Sequence, residues 1–364
     1  MKRILRLQNR VLQNKLSAVL ISKPENVNYL CGFIGTNGRL LVTPKKAVFI
    51  TDFRYLRSAK EQLPKGMQIF DQKDGLKKLI GRFKKLGIED EYMTYSRYLD
   101  LKNKYPKVRL RPVSGIVEDM RMIKDKDEMN IIRKAVKIAS TAFDKFVKSI
   151  KIGQTEKEME WNLLKISHDC GADDFSFPPI IAFGKNTAEV HHLNGNNKLK
   201  KGEKILIDFG IKYKNYCTDM TRVLYTDKSI FLSSRAQSRD EHKIYSTVLT
   251  ANQEAINSIS VGKPFIEVDK VARTVIEKAG FNEYFGHATG HGIGIEVHEQ
   301  PRVSEKSTSD VQPGMLFTIE PGIYSDKLGG GVRIEDMVYV NEKGKVEVLT
   351  KGVSKEIKVL NFKS

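Results

Sequence analysis

A chain of 364 residues, 40 % of them hydrophobic, has the length for two buried cores, and it contains nothing close to the run of about 18 apolar residues that a membrane span needs. A formal charge of +18 raises nucleic acid as a partner, yet the lysines are spread among acids, with no arginine-rich arm or RNP-like aromatic pattern. The expectation is a solvated lysine-rich surface, with no specific nucleic acid and no membrane among its partners.

The opening stretch, MKRILRLQNRVLQNKL, is basic and amphipathic and reads as a first helix rather than a secretory signal, a transit peptide being the weaker alternative. Cys31, Cys170 and Cys217 are odd in number and never spaced Cys-x-x-Cys, which fits reduced thiols in a cytoplasm. Between residues 17 and 120, LSAVLIS, RLLVTPKKAVFIT and MQIF have strand character, while YLRSAKEQL and DGLKKLIGRFKKLG have helical spacing. This reads as an α/β unit. Near LRPVSGIVEDMRMIKDKDE a strand-like end gives way to charge and a long helix, so one domain is expected over 1–122 and a second over 123–364.

The second part carries a repeat. SIKIGQTEKEMEWNLLKISHDCGA (149–172) and SISVGKPFIEVDKVARTVIEKAGF (258–281) align without a gap, pairing Ser149 with Ser258, Gly153 with Gly262, Glu158 with Glu267 and Gly171 with Gly280. Each copy predicts a helix, a turn at the first glycine and a second helix running to the second glycine, with strand-rich sequence after it. Two pseudo-symmetric helix-helix-strand halves follow.

Each half ends in strands that carry acids. In KILIDFGIKYKNYCTDMTRVLY, a turn centred on Lys214 and Asn215 sets Asp219 opposite Gly210, and strand alternation then sends Asp208 and Asp219 to one face, with Gly210 leaving a hole between them. In MLFTIEPGIY and GGGVRIEDMVYV, Glu320 precedes a Pro-Gly stop and Glu335 sits within a strand; Asp208-Phe-Gly echoes Glu320-Pro-Gly, and Asp219-Met echoes the EDM around Glu335. One strand acid is usually an edge residue. Four at matched places in two halves need cations, because buried carboxylates without compensation are very costly.

Three of the seven histidines, His287, His291 and His298, fall in GHATGHGIGIEVHE, where the glycines argue against a zinc-binding helix and for extended backbone brought close to something. His291, at the tight Gly-His-Gly step, is the candidate metal ligand, with His287 and His298 lining the site. Carboxylates with one imidazole suit two divalent ions, manganese before cobalt or zinc, and such a pair, about 3.5 to 4 Å apart, lowers the pKa of a water held between them.

Taken together, ATGHGIGIEVHE, TIEPGIY, VRIED, LIDFG and CTDMTRV resemble the motifs of pita-bread metallopeptidases of the aminopeptidase P and prolidase type, and NVNYLCGF and VFITDFRYLRSAKEQL resemble their creatinase-type N-terminal domain. The resemblance implies an α+β fold: a pita-bread catalytic domain of two ααβ halves behind a smaller α/β domain. It implies Asp208, Asp219, His291, Glu320 and Glu335 as metal ligands, His191, His298 and Glu320 as catalytic residues, and a homodimer acting on proline-containing peptides. Only the family match selects His191 over His192. His287, Arg333 and Ile293 are the substrate-binding candidates; Arg333, on the face of Glu335, holds either a substrate carboxylate or one of the acids.

One departure from the family pattern stands out. DKSIFLSSRAQSR (227–239) is longer and richer in Ser and Arg than the usual connection, and reads as a solvated loop. Four readings remain. An Xaa-Pro exopeptidase is favoured over a methionine aminopeptidase, which lacks the extra domain, over a creatinase, and over a silent binding member of the fold.

Overall fold

Residues 2–74, 79–228 and 236–362 are described by a computed structural model, in which the chain divides into two compact units, 1–121 and 122–364. The first helix, Lys2–Gln13, buries Ile4, Leu7 and Val11, one stripe of its amphipathic sequence. Six strands form the sheet of this unit, in the order 68–71, 47–51, 38–42, 18–21, 85–88, 109–112.

One element differs from its sequence pattern. The helical spacing of DGLKKLIGRFKKLG lies partly outside the described residues, and its end, Lys85–Ile88, is a strand paired in parallel with Ala18–Leu20. Leu86 and Ile88 are buried at 0 % and 3 % exposure there, and a place between two paired strands overrides a local helical period.

In the second unit both copies of the repeat become helix pairs, Lys126–Ser149 with Glu156–Asp169 and Ala236–Asn257 with Phe265–Lys278. Capping boxes at Asp125 with Glu128 and at Thr155 with Glu158 start the first pair. Gly153, Gly171, Gly262 and Gly280 all have positive φ, which is why glycine recurs at those four places. The last helix pair begins inside the expected Ser/Arg-rich loop, at Ala236, and residues 229–235 lie outside the described residues.

Each half then lays down three successive antiparallel strands: 180–183, 204–209 and 220–225 in one, 290–292, 316–319 and 336–340 in the other. Helix packs on sheet in both. Phe143 stacks on Phe209 with centroids 5.8 Å apart, and Phe265 meets Phe317 edge-on at 5.0 Å.

Asp219, Glu320 and Glu335 sit where these ladders break, and Asp208 stands just inside its ladder, opposite Thr221. Phe209 pairs with Met220 in one sheet and Lys212 with Cys217 in another, a single register that faces Gly210 toward Asp219 across the gap. Lys214 and Asn215 form the turn, both with positive φ, as two-residue hairpins require. In the second half Ile319 pairs with Asp336 and Gly322 with Arg333, which sets Glu320 against Glu335 at the break after the strand Leu316–Ile319.

Candidate metal centre

His291 lies on the strand Gly290–Gly292, and its Nδ1 donates to the carbonyl of Gly292 at 3.0 Å. That bond puts the ring proton on Nδ1, so the Nε2 lone pair faces the acids. Nε2 stands 3.3 Å from Glu320 Oε1 and 3.7 Å from Asp219 Oδ2. Asp219, His291 and Glu335 each offer a ligand atom within 4.8 Å of the others. Burial holds the His291 pKa below its ordinary value and keeps the ring neutral, as a ligand must be.

The carboxylates are crowded and underpaired. Asp208 Oδ1, Asp219 Oδ1 and Glu335 Oε1 are buried without a hydrogen-bond partner. Burial, then the neighbouring carboxylates, raises Asp219 and Glu335 well above the usual range, and burial pushes Glu320 up to about 7. Such a set resists ionising unless positive charge joins it, so these residues fit divalent cations. Asp208 is held differently from the rest. Its second oxygen, Oδ2, accepts from Arg333.

Neighbouring residues fix these side chains. Thr221, opposite Asp208 in the ladder, donates to Glu335 Oε2 at 2.8 Å, and Thr318 Oγ1 accepts the His291 N–H at 3.1 Å. Behind them Asp269 accepts from the Thr289 hydroxyl at 2.7 Å, and the Thr289 carbonyl accepts the Glu320 N–H at 2.7 Å. The register arithmetic that sets Gly210 opposite Asp219 also sets Thr221 opposite Asp208, so Thr221 was within reach of sequence reasoning; Asp269 gave no such signal.

Comparison with known proteins decides the family. Metallopeptidase family M24 matches residues 130–342, and a creatinase/prolidase N-terminal domain matches residues 3–123. The chain belongs to metallopeptidase family M24. It is 34 % identical to a protein of Pyrococcus horikoshii named Xaa-Pro dipeptidase, over 91 % of this chain and 92 % of that one. The solved Xaa-Pro dipeptidase from Bacillus anthracis is similar over 99 % of both chains, with 35 % identity and a TM-score of 0.90. An X-Pro aminopeptidase from Thermotoga maritima covers 96 % of this chain and 100 % of its own at 32 % identity, with a TM-score of 0.85.

Around the M24 acids the histidines separate by burial. His192 is turned inward, its Nε2 2.9 Å from Glu156 Oε2 and its Nδ1 3.0 Å from Glu189 Oε2. His191 beside it is exposed and has no hydrogen-bond partner among the described residues, so the pair is no surface pair. His298 is exposed as well, its ring centroid 4.4 Å from that of His291. His287 shares its Nε2 with the Tyr324 hydroxyl at 2.9 Å, and burial holds its pKa down at about 4.

Three expectations change at the M24 site. Arg333 is buried, with Nη1 on Tyr324, Nε on Thr221 and Nη2 on Asp208, so its guanidinium is committed to the protein and the partner-for-an-acid alternative is the one the structure takes. Ile293 has 0 % exposure, so its side chain is buried and offers no surface to a substrate. Gly210 leaves no hole, because a Cβ there would meet the Thr218 carbonyl oxygen at 1.7 Å. At Gly290 and Gly292 the close neighbours are likewise carbonyls of adjacent strands, Thr318 and Gln300, and not the acids.

Proposed function

We propose that this M24 member is a metal-dependent exopeptidase hydrolysing the Xaa-Pro bond of dipeptides or of peptide N-termini. The observation that carries the reading is the set of buried, partnerless carboxylate oxygens on Asp208, Asp219 and Glu335 beside a neutral His291. Oxygen donors with one imidazole suit two divalent ions, manganese first, with cobalt or zinc as alternatives. Asp208, Asp219, His291, Glu320 and Glu335 would hold them. When bound, such ions neutralise the acids, polarise a carbonyl and lower the pKa of water.

The chain's own residues supply the rest. A prolyl nitrogen is a tertiary amide and must gain a proton to leave, and Glu320, at the edge of the acid cluster, carries that proton. His191 and His298, both exposed, donate hydrogen bonds to the carbonyl oxygen as charge develops on it. His287, tied to Tyr324, forms wall rather than donor. The relatives' names include both an Xaa-Pro dipeptidase and an X-Pro aminopeptidase, and an Arg333 committed to Asp208 gives the dipeptide no advantage. A cytoplasmic homodimer completes the reading: the cysteines are free thiols, and the family resemblance implies the dimer.

Turnover of Met-Pro, a longer Met-Pro peptide and Met-Ala, with each metal supplied separately, tests the proposal. Cleavage of both proline peptides, abolished by chelation, is expected. Faster cleavage of Met-Ala contradicts it.

A further inference from the structure

Glu156 is wholly buried at the first turn of the helix Glu156–Asp169, where a carboxylate normally faces water. The repeat supplies its own comparison. At the matching position the second copy carries Phe265, also at 0 % exposure and packed on Phe317. An apolar side chain satisfies that place in one half, so the carboxylate in the other half needs a reason.

Its partners supply one. Oε1 accepts from Asn186 Nδ2 at 2.9 Å and from the Phe183 N–H at 3.3 Å, while Oε2 accepts from the Gly195 N–H at 2.8 Å and from His192 Nε2 at 2.9 Å. One turn further on, Glu160 accepts from Asn194 Nδ2 at 2.8 Å. All of these partners lie in 183–195, the segment leaving the strand Ile180–Phe183, and they bracket His191 on both sides. Within that segment the Thr187 hydroxyl oxygen accepts the Gly331 N–H at 2.8 Å, on the strand Gly330–Arg333 whose Arg333 holds Asp208, which sets the segment against the acids.

We propose that Glu156 is a positioning residue for His191: four bonds from one rigid helical side chain hold the 183–195 segment so that the His191 imidazole stands over the acid cluster. The inference rests on the reading of His191 as a donor to the substrate.

The test uses the manganese-loaded full chain and three variants, Glu156→Gln, His191→Ala and the double mutant, with kcat, KM, bound metal and Tm measured for each. Gln keeps the volume but presents an NH2 group to the Gly195 N–H. The expected result for Glu156→Gln is full metal content with kcat down by about 10²-fold, the order of loss that follows misplacement of a catalytic group. In the double mutant, kcat should equal that of His191→Ala within about two-fold, because the two act as one unit. Losses that multiply, or wild-type kcat in Glu156→Gln beside a crippled His191→Ala, overturn the inference alone. Wild-type kcat in His191→Ala overturns the donor reading itself, and the inference with it. Should Glu156→Gln fail to fold, Asn186→Ala and His192→Gln each remove one bond and carry the same expectation: a smaller kcat loss that vanishes in the His191→Ala background, its persistence there being the contrary result.

Discussion

Arg333 spends its guanidinium on Tyr324, Thr221 and Asp208, so a change at this residue acts through Asp208 and not through the substrate's end. Arg333→Lys, which cannot reproduce a three-way planar fork, should lower kcat on Xaa-Pro dipeptides and on longer Xaa-Pro peptides by the same factor. A loss confined to KM for dipeptides would restore the carboxylate-holding role. His192 gives a second prediction. Burial pulls its pKa down, but Glu156 and Glu189 outweigh burial and raise it above its ordinary value. A histidine with a raised folded pKa contributes stability that is full below about pH 6.5 and is lost as pH rises through the folded value. The Tm gap between wild type and His192→Gln should therefore be wider at pH 6 than at pH 8.5; a gap that is constant or widens with pH contradicts the ion-paired arrangement.

At the scale of elements, the Gly-rich stretch is where sequence and structure part company most instructively. Glycine at Gly290 and Gly292 did signal close approach, but the approaching group is the backbone of a neighbouring strand, which no single stretch of sequence reveals. Gly290→Ala puts a Cβ 1.9 Å from the Thr318 carbonyl oxygen, on the residue whose hydroxyl accepts the His291 N–H. It should cost about 1–3 kcal/mol of stability and weaken metal binding, while Gly286→Ala, with nothing within 4 Å, should leave both near wild type. Equal effects from the two substitutions, read by thermal unfolding and metal titration, would contradict this packing. The Lys214–Asn215 turn was legible because positive φ has a residue signature and the register follows by counting. The strand Lys85–Ile88 was not, because it closes a stretch whose lysines and apolar residues fit a helical period, and only its place between two parallel strands decides the matter. Glu156 was hidden for a related reason: in TEKEMEW it is one of three alternating glutamates at a helix start, where Glu158 is indeed an ordinary capping-box residue.

For the whole molecule, the duplication was the most informative feature of the sequence, since four anchors at one offset imposed the order of helices and strands in both halves. What it did not carry was the detail of the acids. Glu320 faces Glu335 across its break, whereas Asp208 faces Thr221 and Asp219 faces Gly210, so the halves share an architecture without sharing a ligand geometry. The central claim is that this asymmetric group of acids exists to hold divalent metal. Asp219→Asn tests it most directly, because it removes one buried charge at nearly constant volume. In the metal-free state the variant should unfold at a Tm equal to or above that of wild type, since a crowded carboxylate with one partnerless oxygen is gone. Added manganese should raise the Tm of wild type and not of the variant, and turnover of an Xaa-Pro peptide should be lost in parallel. Manganese stabilisation and turnover retained in Asp219→Asn at wild-type levels would contradict the account.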